Sequence, residues 1–145
     1  MTPQDFKELY TRELDTLYKE ISSYADESKL WILAGEIKNT PGNLALHLIG
    51  NVNHFIGALL GNTGYVRNRE EEFGAQHIAK EKLLTDITAA KAMIENVMNN
   101  LPPTELQKDF PVQIFGTHTT EYMLTYFLGH FMYHLGQINY HRRFV

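Results

Sequence analysis

The sequence has no cysteine, only five prolines and a single tryptophan in 145 residues. Without cysteine there is no disulfide framework, no thiolate zinc site, no iron–sulfur cluster and no cysteine nucleophile. None is needed for folding, because a chain of this length buries ~68–70% of its unfolded surface. Positive charge is also scarce: 13 Lys and Arg stand against 17 Asp and Glu, a formal net charge of −4. A net-negative chain repels polyanions, so nucleic acid is not an expected partner. The N-terminus, MTPQDFKELY, lacks a basic region leading into an apolar run, so it does not read as a signal peptide. The uncharged stretches Asn39–Val66 and Tyr122–His141 are broken by His, Asn, Gln or Gly, and neither reads as a membrane span. The expectation is one cytoplasmic, soluble domain over residues 1–145, with no membrane partner.

What is present is helical periodicity. Phe6, Leu9, Tyr10, Leu14, Leu17, Tyr18 and Ile21 recur at steps of three and four, which predicts a helix over about 2–24. A short second piece is expected over Glu27–Ile37. Thr40-Pro41 reads as an N-cap with proline in the first turn, opening a helix to about Leu60 that stops at Gly61-Asn62-Thr63-Gly64. A charged connection follows, Tyr65–Phe73. The next helix covers about His77–Leu101 and is ended by Pro102-Pro103. Residues 104–118 read as a polar connection with a short extended piece at Val112–Phe115, and a last helix runs over about Thr119–Arg143. Four long helices in so short a chain predict an all-α, four-helix bundle.

The histidines carry the chemical signal. On a wheel of ~100° per residue, His47, Gly50, Asn51, His54 and Gly57 share a face opposite Leu48, Ile49, Val52, Phe55, Ile56 and Leu59. That face carries no charge, which suits a pocket lining or a close helix contact better than a solvated surface. On the last helix Met123, Tyr126, His130, His134, Gln137 and His141 fall on one stripe. His130 and His134 are one turn apart, ~6 Å of rise, so both imidazoles can reach one ion. A third ligand from the earlier helix, His47 or His54, completes a three-nitrogen site with one position open. His47 and His54 lie ~10.5 Å apart along the axis, as do His134 and His141, so neither pair shares an ion from a straight helix. The alternative is that these histidines are half-buried structural residues.

The run His130-Phe131-Met132-Tyr133-His134-Leu135-Gly136-Gln137-Ile138 resembles the last-helix signature of the DinB/YfiT-like superfamily of metal-dependent enzymes. Gly42–Asn51, centred on His47, resembles that superfamily's second-helix histidine segment. The resemblance implies a bundle with non-sequential helix packing, a homodimer and a small-molecule substrate. It also implies a divalent metal, zinc or nickel, held by His47, His130 and His134, with His54 left as a neighbour. Better-understood relatives use a low-molecular-weight thiol as cosubstrate, so the implied activity is a metal-dependent transferase or hydrolase, such as an S-transferase acting on small electrophiles. The competing class is a non-catalytic metal-binding or stress-response protein, in which a fourth protein ligand such as His54 closes the site.

Other residues carry paired readings. Arg67 and Arg69 suit the carboxylate of a thiol cosubstrate, or else pair locally with Glu70, Glu71 and Glu72. Gln137 and Asn51 suit ligand orientation or helix packing. Glu121 reads as a surface or capping residue. Gly50, Gly57, Gly129 and Gly136 read as points of close helix approach, and Phe127, Phe131, Tyr133 and Tyr140 as core or dimer contacts. No residue stands out as a general base.

Overall fold

A computed structural model describes residues 1–145, and it is all-helical. The helices are α1 (Pro3–Ser22), α2 (Pro41–Gly61), α3 (Arg69–Gly74), α4 (Lys80–Asn100) and α5 (Thr120–Phe144). The four long ones form the bundle: α1 packs on α4 and α5, while α2 packs on α4 and α5 from the other side. Short 3₁₀ turns at Glu27–Trp31 and Pro103–Gln107 sit in the connections.

Three of the four long-helix starts follow the sequence; α4 begins at Lys80 and not at His77, because His77 stands at positive φ and Ala79, just before Lys80, offers no capping side chain. Thr2 and Asp5 close a reciprocal capping box at α1. Thr40 accepts from the Asn43 amide ahead of Pro41, and Thr119 accepts from the Tyr122 amide. Twenty-eight hydrophobic side chains form one core, in which Phe6, Tyr10, Leu14, Leu17 and Ile21 present the stripe of α1. The Tyr10 hydroxyl donates to the Leu124 carbonyl, so its burial costs no unpaired polar group. At 21 residues, α2 is long and apolar enough to cross a membrane, but it is largely buried among the other helices, as a central core helix is.

Three expectations need correction. The piece at Glu27–Ile37 is helical only to Trp31, and residues 32–40 form a loop with Gly35 at positive φ. Val112–Phe115 is not extended, because the loop it lies in is closed at its base by a bridge between Asp109 and Thr119. Two of the four glycines, Gly129 and Gly136, are exposed, and a Cβ on either would meet nothing within 4 Å, so they allow no close approach within the chain. Gly57 does, with Met93 and Thr63 close by. Phe127 and Phe131 are core, whereas Tyr133 and Tyr140 are exposed.

Candidate metal centre

His47 lies on α2, while His130 and His134 are one turn apart on α5. The packing of α2 against α5 brings one nitrogen of each imidazole within 4.8 Å of the other two. His47 Nε2 and His130 Nε2 are 3.1 Å apart, and the three rings stand edge to face. His47 is buried; His130 and His134 are half-buried.

His47 is held by a device the sequence reading missed. Glu72, on the short α3, is buried, and its Oε1 lies 3.0 Å from His47 Nδ1. Arg67 grips the same carboxylate with two N–H groups, each at 2.9 Å. Arg67 Nη2 also comes within 3.4 Å of His47 Nδ1, but two donors cannot bond each other, so both serve Glu72. The carboxylate accepts the proton on Nδ1 and thereby turns the lone pair of Nε2 toward the other histidines. Asn43 anchors α3 by donating to the carbonyls of Glu72 and Ala75, and Phe73 packs against the His47 ring.

Gly50 makes the room. A Cβ there would lie 2.0 Å from Glu72 Oε2 and 2.6 Å from Cδ. This glycine therefore admits a carboxylate, not a neighbouring long helix. Arg67 is engaged by Glu72 and stacks over Phe55, so it is not free to bind a substrate carboxylate. Arg69 is exposed and lies over Phe73. No local signal singled out Glu72, because its place behind His47 depends on α3 folding back on α2. Three consecutive glutamates masked it as a solvated run.

His134 is oriented differently. Its Nδ1 lies 2.6 Å from Gln137 Oε1, so Gln137 directs a ligand candidate instead of packing helices. Asn51 is buried but is not the partner of His47. His54 sits in a widened π turn, Asn53–Ala58, edge-on to Phe55 and outside the trio. His141 is also elsewhere: it is buried between the Tyr24 hydroxyl, 2.8 Å from Nδ1, and the Ile32 carbonyl, 2.8 Å from Nε2. Glu121 is at the surface, bonded to Gln107 and the N-terminal amine.

The electrostatics favour the neutral form of His47 and His130. Burial, with the nearby His134, His47, Arg67 and Arg69, pushes His130 down to about 4. Burial also lowers His47, reinforced by His134 and Arg67 and opposed by Glu72. His130 Nδ1 is buried without a partner. Its one proton is best placed on Nε2, donated to His47 Nε2, which joins the two rings by an N–H···N bond. The donor set is thus three imidazoles, two of them fixed through Nδ1, and this suits a borderline divalent cation.

Residues 4–145 match the family described as "Protein of unknown function (DUF1572)". The chain belongs to the DUF1572 family. No curated protein and no solved structure matches it. For this DUF1572 member, then, the function must be argued from the site: a three-histidine group that could hold a metal ion.

A groove of about 1130 Å³ opens beside it. His134 and Gln137 line the groove, with the 34–39 loop on one side and Tyr133, Tyr140 and Phe144 of α5 on the other.

Proposed function

We propose that this protein is a metal-dependent enzyme whose divalent ion is held by His47, His130 and His134. The observation that carries the reading is the convergence of three imidazoles from two helices, one of them backed by a buried Glu72–Arg67 pair. A structural role for the histidines explains neither the carboxylate behind His47 nor the glycine that admits it. Glu72 and Gln137 select the tautomers that leave ligand lone pairs on the inner nitrogens. The resemblance to the DinB/YfiT-like superfamily supports the same three ligands and zinc or nickel as the ion.

With His54 outside the trio, three protein ligands leave a coordination position open, which favours turnover over closed storage. Bound there, a divalent ion supplies Lewis acidity and lowers the pKa of a coordinated thiol or water. The chain's own contribution is the ligand geometry and the groove, whose aromatic wall suits a small apolar electrophile. The reaction we assign is thiol-dependent S-transfer to such a substrate. The test is thiol consumption with a panel of small electrophiles, using zinc- or nickel-loaded protein. Turnover abolished by chelation and by His134→Ala supports the assignment. Thiol loss at the same rate in chelated protein refutes it.

A further inference from the structure

Tyr133, Tyr140 and Phe144 stand on one line of α5, at steps of seven and four residues. They are 66%, 69% and 81% exposed, and neither the core nor the histidine trio uses them. All three line the same groove beside His134. Large aromatics left in water along one groove mark a surface that a ligand covers. The opposite wall is built to stay apart from them. The Ile32 carbonyl can only accept, so His141 Nε2–H donates to it at 2.8 Å, and Nδ1 accepts from the Tyr24 hydroxyl at 2.8 Å. Trp31, one residue earlier, is seated on Gly42, where a Cβ would lie 2.7 Å from the indole ring. At the other end Thr40 is held by its capping bond from the Asn43 amide. The 34–39 loop is thus tied at both ends, and the groove is a fixed feature of the fold.

Size, charge and length then describe the ligand. At about 1130 Å³ the groove exceeds the ~300–1,000 Å³ of common ligand pockets, so it is larger than a reacting group alone requires. Its only Asp, Glu, Lys or Arg residues are Glu36 and Lys38, of opposite sign, so it selects neither an anion nor a cation along its length. Along α5 it runs from His134 to Phe144, ten residues or ~15 Å of helix axis. An extended alkyl chain advances ~1.25 Å per carbon, from bonds of about 1.5 Å at a near-tetrahedral angle, so that length takes about twelve carbons. His134 belongs to both the groove and the trio, which sets the polar end of the ligand there.

We propose that the substrate is an amphiphile, with its polar, reacting end at His134 and an unbranched alkyl chain of about ten to twelve carbons lying along α5 as far as Phe144. Tyr140 and Phe144 are then its length-determining residues, ~9 Å and ~15 Å from His134 along the axis. The place of the reacting end rests on the metal-dependent reading above, whereas binding of the chain needs no metal.

The test is a titration of metal-free, ¹⁵N-labelled full-length protein with primary n-alkanols of four, eight and twelve carbons, followed by amide NMR shifts. The shifts should fall on residues 34–39 and 133–144. Affinity should rise about two- to four-fold per added carbon and level off near twelve. Phe144→Ala should weaken dodecanol by about ten-fold and leave butanol and octanol unchanged. Tyr140→Ala should weaken octanol and dodecanol and spare butanol. Both side chains are exposed, so neither variant should lower the melting temperature. Tyr122→Ala, on the same helix outside the groove, should change nothing. Equal affinity at all chain lengths overturns the proposal, and so do shifts centred outside the groove. Phe144→Ala weakening every length alike overturns it as well, because the polar end would then lie at Phe144. Tighter binding of 9-anthracenemethanol than of dodecanol also overturns it, in favour of a flat ring system. Zinc content measured in parallel separates the two readings. Chain-length dependence without zinc uptake supports the alkyl groove and sinks the metal-dependent enzyme; zinc uptake without chain-length dependence sinks the alkyl groove alone.

Discussion

Gly50→Ala is the perturbation on which the second layer of the site stands or falls. On an ordinary helix position this change adds helix propensity, worth ~1 kcal/mol. Here the new Cβ would come within 2.0 Å of Glu72 Oε2, so the carboxylate must leave. The side chain is flexible, and moving it is sterically cheap. What it loses is the bond from His47 at 3.0 Å and two from Arg67 at 2.9 Å. Hydrogen bonds to charged groups are worth ~1.5–3 kcal/mol each. Losing even two of the three outweighs the propensity gain and leaves a net destabilisation of about 2–5 kcal/mol. For a chain of this length that is a fall of roughly 6–15 °C in melting temperature. With His47 no longer oriented, zinc affinity should also fall by about 10–100-fold. The assay is denaturant unfolding and zinc titration of Gly50→Ala, Glu72→Ala and the double variant. In the Glu72→Ala background the same alanine should be neutral or stabilising, which gives a large coupling. A Gly50→Ala protein as stable as wild type, with unchanged zinc affinity, refutes the argument.

Further outcomes follow from the same geometry. Arg67→Met should destabilise by about 3 kcal/mol in denaturant unfolding, because it leaves the buried Glu72 carboxylate without its cation. Zinc uptake at neutral pH should release no proton from His47 or His130, seen with a pH indicator in weak buffer, because burial holds both imidazoles neutral and the proton between them only moves from His130 Nε2 to Nδ1. The metal-free protein should lose stability as pH falls. His130 is held at about 4 when folded against an ordinary 6.5, so between those values the unfolded chain takes up the proton that the folded one refuses. The full shift corresponds to ~3 kcal/mol, and partial solvent access reduces it to about 1–2, a slope that His130→Asn should remove from the melting profile. Tyr24→Phe should cost about 1 kcal/mol in unfolding by taking the hydroxyl from buried His141.

The sequence made the bundle legible because its signals are local. Thr40-Pro41, Thr119 and the apolar stripes act through a few residues each, and the helices start where those caps sit. His130 and His134 were legible for the same reason, since four residues fix their separation. His47 joined them through the resemblance, because spacing alone left it level with His54. What stayed hidden depends on contacts between distant segments. Glu72 reaches His47 across 25 positions and looks like one of three solvated acids until α3 folds back on α2. His141 shares the stripe arithmetic of His134, but seven residues further on a helix of 25 residues its ring meets Tyr24 and Ile32. Glycine gives no local clue at all: Gly50 faces a carboxylate, while Gly136 faces open space.

The central claim is that three histidines hold one divalent ion, and metal content tests it most directly. Tag-free protein should be measured by elemental mass spectrometry as purified and after incubation with zinc or nickel, with His47→Ala, His130→Ala and His134→Ala alongside. The account predicts about one ion per chain in wild type and sharply less in each variant, all retaining a helical spectrum. Wild-type protein that takes up neither metal, or variants that retain a full equivalent, would contradict it.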